Sequence, residues 1–83
     1  MQRSQDLETL KSELRQLLME LASLPEGFDE NADFYSELGM ASVKAMELLM
    51  TLEERYEVHV PDDKFIEATS LDRLAVMIGG LKD

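Results

Sequence analysis

Leu7, Leu10, Leu14, Leu17, Leu18 and Leu21 recur at intervals of three and four residues, the spacing that lines one side of an α-helix with apolar groups. Glu8, Glu13, Arg15 and Glu20 fall largely off that line. The segment therefore reads as an amphipathic helix from about Ser4 to Ala22, stopped ahead of Pro25 and Gly27. The chain has 83 residues and no cysteine, so the expectation is one domain over residues 1–83, held by helix packing rather than by disulfides. A hydrophobic content of 45% is enough for a folded globule and argues against disorder.

Residues 25–41 form a long polar connection in which Phe34 and Leu38, one helical turn apart, are expected to pin the loop to the core. Gly39 breaks the chain before a second helix, predicted over Ser42–Tyr56. Its core stripe is Ala45, Leu48, Leu49, Leu52 and Tyr56. Val43, Met46, Glu47, Met50 and Glu54 lie round the helix from it and mix apolar with acidic groups, the composition of a face kept for a partner. Met50 suits such a face because methionine packs adaptably. Val58 to Pro61 read as an extended break, with Pro61 opening a short helix from Asp62 to Ile66. Thr69 and Asp72 match a capping box for a last helix carrying Leu71, Leu74, Ala75 and Ile78, ended by Gly79-Gly80. The fold class is all-α: a small bundle of three main helices and one short helix.

Eighteen acidic residues against eight basic ones give a formal charge of −10. That field disfavours nucleic acid and anionic membrane surfaces, both of which are bound through Lys and Arg; taken alone, it either steers the chain towards partners with basic patches or simply keeps a small protein in solution. The apolar runs are too short to span a membrane, and the amino-terminal stretch is not a signal-peptide pattern; the expected compartment is the cytoplasm.

Active-site chemistry is hard to assemble from these residues. His59 is the only histidine and sits in a structural turn between Val58 and Val60. Asp29, Asn31 and Asp33 resemble the start of a calcium loop, but Phe34 and Met40 stand where that loop needs glycine and a bidentate glutamate. Gly39 to Val43 is not the G-x-S-x-G elbow of a hydrolase, so Ser42 is not a self-activated nucleophile. No catalytic or metal-binding residue is expected. At a helix start, Ser42 has two readings: an N-cap, or a serine modified by another enzyme whose phosphate ester would meet free backbone N–H groups.

The stretch from Phe34 through Leu-Gly-Met-Ala-Ser42 to Leu48 resembles the attachment region of acyl and peptidyl carrier proteins. The likeness continues through Leu52-Glu-Glu-Arg-Tyr-Glu-Val-His-Val-Pro-Asp-Asp and Ala68-Thr-Ser-Leu-Asp-Arg-Leu, covering nearly the whole chain. The resemblance implies a four-helix carrier fold and no enzymatic activity of its own. It implies that Ser42 receives 4'-phosphopantetheine from coenzyme A through a phosphopantetheinyl transferase, and that the arm's thiol holds acyl or aminoacyl cargo as a thioester. It also implies that Val43, Glu47, Met50, Glu53 and Glu54 meet partner enzymes, namely loading ligases and synthases of fatty-acid, polyketide, peptide or specialised lipid synthesis. The carrier is expected to be a monomer.

Two residues depart from the family pattern. The family carries aspartate immediately before the modified serine, where this chain has Ala41; that carboxylate is expected to cap the helix and to engage the transferase. Lys44 puts a positive charge where acidic carriers often have a carboxylate. Ala41 motivates an alternative, a carrier-like interaction module that is never modified.

Overall fold

The computed structural model describes residues 2–82, with side chains described from residue 7 onward. Four helices follow in order: α1 (Gln2–Leu21), α2 (Ser42–Tyr56), α3 (Asp62–Glu67) and α4 (Leu71–Lys82). α1 packs chiefly on α4 and also on α2, while α3 lies against α4. Leu10, Leu14, Leu17 and Leu18 of α1 are buried among Leu48 and Leu52 of α2 and Leu71, Leu74, Ala75 and Ile78 of α4. The leucine stripe thus does what its spacing requires: each full burial of such a side chain contributes roughly 1.5–3 kcal/mol. Among the described residues no helix is long and apolar enough to cross a membrane.

α1 ends one residue before the expected Ala22 and begins two before Ser4. Its stop is built by the backbone ahead of Pro25: Ser23 turns left-handed (φ 58°) and the Leu24 N–H reaches back to the Leu18 carbonyl at 3.4 Å. Leu24 is itself buried, which anchors the start of the long connection. α2 has the bounds its sequence predicts, and α3 runs one residue beyond Ile66.

α4 corrects the sequence reading twice. The residue preceding it is Ser70, whose Oγ accepts the Arg73 N–H at 3.3 Å, so Ser70 and not Thr69 caps the helix. Asp72 instead pairs with Lys11 of α1 at 3.1 Å. The helix also runs through Gly79-Gly80 to Lys82. Two glycines cost about 1 kcal/mol each in a helix interior, but Leu81 packs on the core and Leu10 lies alongside Gly79, so tertiary packing prevails over local propensity.

The connection between α1 and α2 is anchored at many points. Phe34 is buried and Leu38 packs on the core, as expected, and Phe28, Ala32 and Met40 are buried beside them. Arg15 donates to the Phe28 carbonyl at 2.7 Å and stacks 4.4 Å over its ring. Glu30 accepts Lys11 at 3.1 Å, and its carbonyl accepts the Asp72 N–H at 3.0 Å. The Lys11 pKa is raised, first by its hydrogen bond to Asp72 and then by that to Glu30. A loop tied to both α1 and α4 delivers its last residues to a fixed place.

Candidate functional site

Ser42 is the first residue of α2 and is exposed. The N-cap is Ala41, extended at φ −74° and ψ 143°, with no side-chain cap. Ser42 is therefore at the first helical position, which removes the reading of this serine as the N-cap. Ser42 lies in the first turn of α2, where a helix leaves its leading backbone N–H groups without intrahelical partners and its dipole is positive. That turn carries no acidic residue, and Lys44 adds a cation within it. A phosphodiester on Ser42 would meet backbone donors and no carboxylate of that turn, so these residues fit the anionic end of a phosphopantetheine group.

The turn leading into this point is closed by backbone and carboxylate together. Asp33 Oδ1 accepts the N–H groups of Tyr35 at 2.8 Å and Ser36 at 2.9 Å. These bonds, Ser36 first and Tyr35 second, hold the Asp33 carboxyl below its ordinary pKa. Gly39 then turns the chain at φ +71°, a conformation open to glycine, and Met40 is buried with its N–H on the Phe34 carbonyl at 2.8 Å. Asp29 likewise caps its own turn through the Asn31 N–H at 2.8 Å. Two of the three residues that suggested a calcium loop serve turns instead.

From Ser42 a face runs along α2. Val43, Met46 and Met50 are about two-thirds exposed, unusual for side chains so apolar, and Glu47 and Glu54 are exposed with them. Glu47 lies 3.5 Å from Lys44 one turn earlier. Glu53 differs from the other acids: its carboxylate accepts the N–H of buried Val60 at 2.9 Å and lies 3.5 Å from His59. His59 is almost wholly exposed and stands at Glu53, eleven residues along the helix from Ser42 or roughly 16 Å by helical rise, too far to serve as its base.

The structure places Ser42 at the head of α2 and Val43, Glu47, Met50 and Glu54 exposed along it; the residues that present this helix start had no part in the sequence reading of the site. Met40, Phe28 and the Asp33 cap went unnoticed. The available signal was Asp33 followed two and three residues later by Tyr35 and Ser36, the span of an Asx turn.

A family model described as a phosphopantetheine attachment site matches residues 12–78. The acyl carrier protein of Campylobacter fetus subsp. fetus (strain 82-40) is 31% identical over 71 residues, 84% of this chain and 92% of that protein. The acyl carrier protein of Sulfurovum sp. (strain NBC37-1) is 38% identical over 40 residues, 48% of this chain and 53% of that protein.

Proposed function

This chain belongs to the phosphopantetheine-attachment family of acyl carrier proteins, and we propose that Ser42 is the residue that bears the group. As a member of that family it is a carrier and not a catalyst, and its prosthetic group is covalently attached 4'-phosphopantetheine. When bound, the group supplies a terminal thiol that holds acyl or aminoacyl cargo as a thioester. The observation that carries the assignment is an exposed serine at the first position of a 15-residue helix, inside the matched span.

The protein's own residues have three tasks in this reading. Ser42 offers its hydroxyl to a separate transferase. Val43, Met46 and Met50 give apolar contact to the enzymes that load and use the carrier. Glu47 and Glu54, on a chain of charge −10, orient it towards their basic patches; Glu53, held by Val60, contributes charge with less freedom to move. The pathway is one of fatty-acid, polyketide, peptide or specialised lipid synthesis, and the carrier acts as a cytoplasmic monomer of one domain.

Ala41 supports a second reading, an interaction module that stays unmodified, because it offers the transferase no carboxylate and α2 no side-chain cap. Incubation with coenzyme A and a broad-specificity transferase separates the two. The first reading expects the protein to gain the mass of one phosphopantetheine, and Ala41→Asp to gain it faster. No gain in either protein favours the second.

A further inference from the structure

We infer that Asp33 is a positioning residue for Ser42: it locks the turn that fixes the start of α2, a job that falls to it because Ala41 does not cap the helix. The inference rests on Ser42 as the modified residue, and adds how this chain presents it.

The path is continuous in the backbone. The Asp33 carboxylate takes the N–H groups of Tyr35 and Ser36, and its carbonyl takes those of Glu37 at 3.1 Å and Leu38 at 3.0 Å. Glu37 returns the contact, its Oε1 accepting the Asp33 N–H at 3.2 Å. Residues 33–38 are thus a single capped turn with Phe34 buried beneath it. Phe34 is held from both sides: its N–H donates to the Thr69 carbonyl at 2.8 Å, and its carbonyl accepts the Met40 N–H at 2.8 Å. Met40 is buried, and only Ala41 separates it from Ser42.

A helix start is ordinarily fixed by its own cap. Here the cap residue supplies only its carbonyl, which accepts the Lys44 N–H at 3.0 Å. The first turn of α2 is therefore set by Leu48 and Leu52 further along the helix and by the Asp33–Phe34–Met40 turn behind it. Release of the turn frees Ser42 to fray while the rest of α2 stays packed.

This predicts an energetic coupling between Asp33 and Ala41, although no hydrogen bond joins them. The experiment is a double-mutant cycle of Asp33→Ala and Ala41→Asp, read by amide exchange at Met40 and Lys44 and by kcat/KM for modification by a transferase. Asp33→Ala should speed exchange at both amides about fivefold, the effect of losing a cap, while Ala22, bonded to Leu18, changes less. Asp33→Asn, which keeps the accepting oxygen, should restore the parent pattern. In the Ala41→Asp background the effect of Asp33→Ala on Lys44 exchange and on kcat/KM should shrink. Uniform acceleration at all amides, no acceleration at Met40 and Lys44, or additive effects would overturn the inference. If Ser42 is never modified yet the exchange pattern holds, the clamp stands and the assignment of the serine fails.

Discussion

Glu53 and Val60 are joined across the turn that leaves α2: the glutamate carboxylate accepts the valine N–H at 2.9 Å, and Val60 is buried. The bond separates Glu53 from Glu47 and Glu54, which sequence position alone groups with it. Glu53→Lys leaves a buried N–H without its partner and should cost about 1–3 kcal/mol in denaturant unfolding. Glu47→Lys should leave stability within about 0.5 kcal/mol of the parent, weaken binding to a transferase and reduce the salt dependence of that binding. Glu8→Lys on α1 makes the same change in net charge; an equal effect on binding would mean that total charge, and not the α2 face, governs recognition.

The continuation of α4 through its glycines is testable in the same way. Nothing lies within 4 Å of a Cβ built on Gly80, and its backbone is helical, so Gly80→Ala should raise stability by up to about 1 kcal/mol. Gly79→Ala places its Cβ 3.8 Å from Leu10 Cδ2, an ordinary contact, and should also be tolerated. A loss of stability in Gly80→Ala would show that the helix ends where the sequence suggests.

These two cases mark what the sequence made legible. α2 could be read to the residue because Gly39 precedes it and its apolar stripe is unbroken, and Ser42 stood out through the Leu-Gly-Met-Ala-Ser turn. Gly79-Gly80 misled because a local stop signal was weighed without the α1 surface that faces it. Thr69 misled because Ser70, an equally good cap residue, stands next to it; Ser70 accepts the Arg73 N–H, and the register adopted leaves the Thr69 carbonyl to Phe34. The anchoring of the long connection was illegible for a related reason: Arg15 with Phe28, and Lys11 with Glu30 and Asp72, are contacts between segments far apart in sequence.

Acidification should loosen the turn behind Ser42. The Asp33 pKa lies below its ordinary 3.8 because Ser36 and Tyr35 donate to the ionised carboxylate. Its folded value is below its unfolded one, so the stability it contributes is full above the ordinary value and is lost as pH falls through the folded value. NMR titration should show the Ser36 and Tyr35 amide shifts moving together with a midpoint below 3.8. Asp33→Asn should abolish that titration. A midpoint at or above the ordinary value would contradict the cap.

Attachment falls on one hydroxyl among several, and peptide mapping of the transferase product identifies which. Ser23 and Ser36 are exposed serines in connecting segments, whereas Ser42 alone among these three opens a helix. The phosphopantetheine mass should appear on the peptide containing Ser42 and be absent from Ser42→Ala. An adduct on Ser23 or Ser36, or one that persists in Ser42→Ala, would contradict it.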